Sequence, residues 1–156
     1  MRVVLTGGAG ADDLTGGNGN DSFVYTAVAE STGAAAARAY DVIAGFNAGG
    51  AGVARVDVFN VSGIGGNLAN GITAVDAAVV AGALNTATFD ANLAVAIGAG
   101  QLGADNAVLF TANAGTLSGR TFLIVDANNT AGYQAGADLV IDVTGISGTL
   151  DITDFI

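Results

Sequence analysis

Residues 7–24 read "GGAGADDLTGGNGNDSFV", and their reading decides the fold class. They are one nine-residue pattern written twice. Gly7-Gly8-x-Gly10-x-Asp12-x-Leu14-x is followed at once by Gly16-Gly17-x-Gly19-x-Asp21-x-Phe23-x. The glycines permit backbone conformations closed to other residues, which suits a tight turn that aims carbonyl oxygens at a cation. The aspartates supply negative charge, and the apolar residue at the eighth position points into a core. Carbonyls and carboxylates are hard oxygen donors of the kind Ca²⁺ takes, about six to eight at a time. A glycine-rich phosphate loop is disfavoured, because there is no lysine and Asp12, Asp13 and Asp21 would repel an anion. A Gly/Asp loop without metal is the plainer alternative.

Composition narrows the field. The 156 residues carry 14 acidic and 4 basic side chains, a net charge of −10 that argues against nucleic acid and fits a cation partner or a solubilising surface. Cysteine and histidine are absent, which excludes disulfides, thiol nucleophiles, His-based triads and the usual zinc sites. No spacing singles out a carboxylate pair for glycosidase chemistry, so no enzyme is expected. Hydrophobic residues make up 51%, yet the longest apolar run, "ITAVDAAVVAGAL", is broken by Asp76 and is too short for a membrane span. The start "MRVVLTGG" lacks the apolar region of a secretory signal.

One domain is expected over residues 1–156, with the repeats at 5–25 and a small-residue loop at 26–40. A strand pair is expected over 41–61, as "DVIAGF" and "ARVDVFNV". Residues 72–100 are alanine-rich and read as a helical insertion of two short helices, with Thr73 and Thr88 as N-caps and Asp76 and Asp90 in the first turns. The β-branched and aromatic runs 107–112, 121–127, 138–145 and 150–156 read as an antiparallel meander over 106–156. The loop "DANNTAGYQAGAD" holds Asp126, Asn128 and Asp138, and an Asx-rich turn is favoured there over a metal site.

The nonapeptide pair resembles the Ca²⁺-binding β-roll of RTX proteins exported by bacterial type I systems. "DSFVYTAVAEST" looks like the segment that ends such rolls, and "DVIAGFNAGGAGVARVDVFNVSGI" is similar to the strand pair that follows them. Residues 107–156 look like the C-terminal module of bluetail-domain surface proteins. The resemblance implies a mainly β fold, in which a short parallel β-roll coil is capped by an antiparallel β meander or sandwich with one or two short helices inserted. It implies Ca²⁺ ligation by the side chains of Asp12 and Asp21 and by the carbonyls of Gly7, Ala9, Gly16 and Asn18. In a β-roll the next coil follows eighteen residues on. Glu30 stands eighteen after Asp12, and Asp41 stands two beyond that distance from Asp21, so both are candidates to close the sites. Where the family has a second aspartate, this chain has Gly45, which removes an oxygen from the second site.

The resemblance therefore implies a non-enzymatic Ca²⁺-binding terminal domain, secreted or on the cell surface. It would be exported through the type I machinery by its C-terminal "TDFI" and would fold on Ca²⁺ outside the cell. The alternative is a self-assembling Ca²⁺-dependent surface-layer or filament subunit, supported by the Ala/Gly/Val-rich composition and by the open strand edges of an incomplete roll.

Overall fold

The structure is a computed structural model, and it describes residues 1–33, 37–50 and 56–156. The first five strands are short: β1 (Val4–Leu5), β2 (Asp13–Thr15), β3 (Ser22–Val24), β4 (Asp41–Ala44) and β5 (Val58–Asn60). They alternate between two sheets. β1, β3 and β5 form one sheet with parallel neighbours, while β2 pairs with β4, also parallel, in the other. Val4 lies beside Ser22, eighteen residues away, because each nine-residue repeat sends its strand to the opposite sheet. Part of the expected strand 54–61 lies outside the described residues, and its described portion carries β5.

The second sheet continues through the C-terminal half. β8 (Asn106–Thr111), β9 (Thr121–Val125) and β10 (Leu139–Asp142) form the expected antiparallel meander. They are no separate cap, however. β10 runs parallel to β4, so one mixed sheet orders β2-β4-β10-β9-β8, with β6 (Ala74–Val75) and β7 (Val79–Val80) on its far edge. The described residues are mainly sheet with one short α-helix, α1 (Phe89–Ala96).

The meander is apolar on both faces, which explains its unbroken hydrophobic runs. Ala107, Leu123, Val125, Leu139 and Ile141 face a core shared with Phe23, Ile43, Phe46, Phe59 and Phe155. Val108, Phe110, Phe122, Ile124 and Val140 face a second core under Phe89, Leu93 and Ile97, from α1 and its C-terminal end. The first core is organised by stacked rings, with Phe46 and Phe59 at 4.1 Å and Phe59 and Phe155 at 5.5 Å.

Three expectations are corrected. The helix read over the first half of 72–100 is absent, and that segment supplies β6 and β7. Pairing of Val75 and Val79 with β8 outweighs the helix propensity of the alanines between them. Thr88 does occupy the N-cap of α1, but its hydroxyl donates to Asn92 Oδ1 (2.7 Å) and caps no backbone N–H. The last expected strand, 150–156, is instead a 3₁₀ turn over Ile152–Asp154. The Asp151 carboxylate accepts from Thr153 N–H and that of Asp154 from Asp151 N–H, a capping box that closes a turn where the sequence suggested extended chain. Only Phe155 bridges to Phe59 as a strand residue would.

Phe59 packs against three rings, those of Phe23, Phe46 and Phe155, and is fully buried. Phe59→Ala is expected to destabilise the domain by about 3–5 kcal/mol, and urea unfolding measures it. A loss under about 1 kcal/mol would show that the ring stack does not organise the core.

Candidate metal-binding turns

The two repeats have matching backbones. Gly8 and Gly17 both sit at φ +86°, in the left-handed region that favours glycine. Gly7 and Gly16 act differently: each leaves room for the carboxylate five residues on. A Cβ at Gly7 would lie 2.8 Å from Asp12 Oδ2, and one at Gly16 would lie 2.5 Å from Asp21 Oδ2. Each carboxylate is therefore folded back over the first glycine of its own turn.

Aspartate carboxylates tie neighbouring segments together by accepting from main-chain N–H groups. Asp12 N–H donates to Asp41 Oδ1 (2.8 Å), and Asp21 N–H donates to Asp57 Oδ1 (2.9 Å). Val3 N–H donates to Asp21 Oδ1 (2.8 Å) in the same way. The second oxygens of the two later aspartates are also engaged. Asp41 Oδ2 accepts from the Tyr25 hydroxyl (3.1 Å), and Asp57 Oδ2 accepts from Asn47 N–H (2.8 Å). Asp12 Oδ2 and Asp21 Oδ2 differ from these: both are buried and neither has a hydrogen-bond partner. Asp21 as a whole is only 1% exposed. A buried carboxylate oxygen without a partner carries a full desolvation cost, which a cation or a proton would relieve.

The acids are brought together differently from the eighteen-residue arithmetic. Asp41 lies beside Asp12, not Asp21, and Asp57 lies beside Asp21. The loops after β3 and β4 stretch these coils beyond two nonapeptides. Glu30 turns back on its own 3₁₀ turn, where its Oε2 accepts from Thr26 N–H (2.9 Å) and its Oε1 from the Thr26 hydroxyl (2.5 Å). Sequence reasoning missed Asp57. The signal was a recurring Asp-x-apolar triplet, Asp12-x-Leu14, Asp21-x-Phe23, Asp41-x-Ile43 and Asp57-x-Phe59. Gly45 takes φ +75°, which an aspartate there would adopt only with strain.

The field at the first turn is strongly negative. Burial, then the charge and hydrogen bond of Asp41, then Glu30 and Asp12, push the Tyr25 phenol far above its ordinary range. Burial also raises Asp41, with the Asp12 charge adding to it, against the lowering hydrogen bonds from Asp12 N–H and Tyr25. In the second turn a positive group already lies on a candidate carbonyl, since the Met1 ammonium donates to Asn18 O (3.3 Å).

The donor set fits a hard cation in part. Each turn offers one unpartnered carboxylate oxygen, Asp12 Oδ2 in the first and Asp21 Oδ2 in the second. Among the described residues, no group of three or more acidic, histidine or cysteine side chains is gathered closely enough to hold a metal. The carbonyls would have to supply most of the ligands. The loop 126–138 is an Asx-rich turn: Asp126 Oδ1 accepts from Asn128 N–H (3.0 Å) and Thr130 N–H (3.4 Å).

No protein-family model matches this chain, and no curated protein matches it. Among the described residues no helix is long and apolar enough to cross a membrane.

The hydrogen bonds rank the two closing candidates. Asp41→Ala strands the N–H of Asp12 and the hydroxyl of Tyr25, and is expected to cost about 1–3 kcal/mol. Glu30→Ala, at an exposed turn, is expected to cost under about 1 kcal/mol. Denaturant unfolding in chelator checks the order, and equal losses would contradict it.

Proposed function

We propose that the chain is a non-enzymatic Ca²⁺-binding module of the RTX β-roll kind, secreted or on the cell surface, which folds on Ca²⁺ after type I export. The observation that carries this reading is the pair of buried, unpartnered oxygens, Asp12 Oδ2 and Asp21 Oδ2, each poised over the first glycine of its turn. The alternation of β1–β5 between two sheets with parallel pairing supports a β-roll, because that is how stacked nonapeptides would run. Asp12 with the carbonyls of Gly7 and Ala9, and Asp21 with those of Gly16 and Asn18, would hold the ions. Bound Ca²⁺ would supply only charge neutralisation and cross-linking of the turns. Asp41 and Asp57 orient the site aspartates by fixing their main-chain N–H groups, and Glu30 acts through its field.

Extracellular Ca²⁺ modules bind at about 10⁻⁴–10⁻³ M, so the turns would be empty in a cytosol poor in Ca²⁺ and filled outside. Export as unfolded chain followed by folding on the ion suits that difference. The C-terminal "TDFI" is read as the export signal.

A second reading, a self-assembling surface subunit, draws on the open strand edges. Among the described residues β1 and β2 each pair on one side only, and Val4 and Val80 near sheet edges are 63% and 67% exposed. Light scattering with and without Ca²⁺ separates the readings, since assembly gives large particles.

Millimolar Ca²⁺ is expected to raise the melting temperature over that in chelator, reflecting a stabilisation of about 2.7 kcal/mol per site at a hundredfold excess over the dissociation constant. Asp12→Ala and Asp21→Ala should each reduce the response, whereas Asp126→Ala should leave it intact. Identical melting in Ca²⁺ and in chelator would sink the proposal.

A further inference from the structure

Asp126 follows the last residue of β9, and Asp138 precedes the first residue of β10. The pairing of Val125 with Leu139 places the two aspartates directly opposite each other at the head of the hairpin loop. Both are 0% exposed. Like charges opposite each other on neighbouring strands are destabilising even where water reaches them. Here burial removes that screening.

Five main-chain N–H groups converge on the pair. Asp126 accepts from Asn128 and Thr130 and, through Oδ2, from Asp105 N–H (2.8 Å). Asp138 accepts from Ala127 N–H (3.3 Å) and Gln134 N–H (2.6 Å). No arginine is needed to account for the arrangement, and Arg38 and Arg120 are engaged with Asp13 and Asp142. Two further ionisable residues lie on the elements packed against the pair. Asp105 comes from the segment between α1 and β8, with a buried carboxylate oxygen of its own. Tyr133, in the loop itself, gives its hydroxyl to Asp90 of α1 (2.6 Å).

We propose that Asp126 and Asp138 hold one proton between them, and that this shared proton latches the 126–138 loop onto the segment that follows α1. One carboxyl O–H donates to the facing carboxylate, which removes one of the two buried charges and leaves the N–H contacts in place. Two further bonds fasten the same loop, Tyr133 N–H to Ile97 O and Gly132 N–H to Leu102 O, both at 2.8 Å. Loss of the proton sets two buried carboxylates against each other and loosens this attachment.

Burial, and next in the raising direction the charge and hydrogen bond of Asp126, push Asp138 up to about 7 against the pull of the Gln134 and Ala127 N–H groups. A carboxyl raised above its unfolded value of about 4 stabilises the fold fully below that value. The contribution is lost as pH rises through the folded value near 7.

The test needs no variant to begin. Carboxyl-carbon NMR of the aspartates in the intact chain, in chelator, is expected to show one buried group titrating near neutral pH. Between about pH 4 and 7 the melting temperature should fall by several degrees. Protection of the Gln134 amide from hydrogen exchange, corrected for intrinsic pH dependence, should fall several-fold. Asp138→Asn should flatten both trends, while Asp13→Asn at an exposed ion pair should leave them. The proposal is overturned if every aspartate titrates below about pH 5, or if the pH slope persists unchanged in Asp138→Asn.

Discussion

Asp41 and Asp57 each set a buried carboxylate oxygen against the main-chain N–H of an aspartate just ahead of a neighbouring strand, Asp12 and Asp21 respectively. This contact recurs at each parallel junction of the first half and aligns strands that are only two to four residues long. Such strands carry few ladder hydrogen bonds, so register has to be set by something else. A slip of one residue would turn Phe23, Ile43 and Phe59 out of the core and bring their polar neighbours in. The aspartate at the head of each strand resists that slip, because its carboxylate is matched to one N–H.

The same contacts divide the acids into two kinds. Asp41 and Asp57 have donors on both oxygens. Asp12 and Asp21 each retain one buried oxygen without a donor, over a glycine that has no Cβ to block it. The rest of the fold insulates this arrangement. The mixed sheet joins the two turns to the meander through β4 and β10, and the stack of Phe46, Phe59 and Phe155 closes the end of the shared core.

Much of this was legible in the sequence, where local chemistry decides it. The doubled nonapeptide gave the two turns, and unbroken apolar runs marked β8, β9 and β10, which are buried on both faces. What was illegible depended on distance along the chain. The alanines around Asp76 favour helix in isolation, and only pairing with β8 makes β6 and β7. Glu30 stood at the right separation from Asp12, but the loops lengthened the coils and brought up Asp41 instead. Asp57 went unnoticed because its partner lies thirty-six residues away, and only the repeated Asp-x-apolar triplet hinted at it. The final strand failed because the short-range Asp151–Asp154 capping box outweighs β propensity in "LDITDFI".

The central claim is that Asp12 Oδ2 and Asp21 Oδ2 are cation ligands. The most direct measurement is long-wavelength anomalous diffraction from crystals grown at saturating Ca²⁺. The account predicts anomalous peaks within about 2.3–2.6 Å of these two oxygens, the distance Ca²⁺ keeps from its ligands. Well-ordered crystals with no peak at either turn, and with both oxygens bonded to water or protein donors, would contradict it.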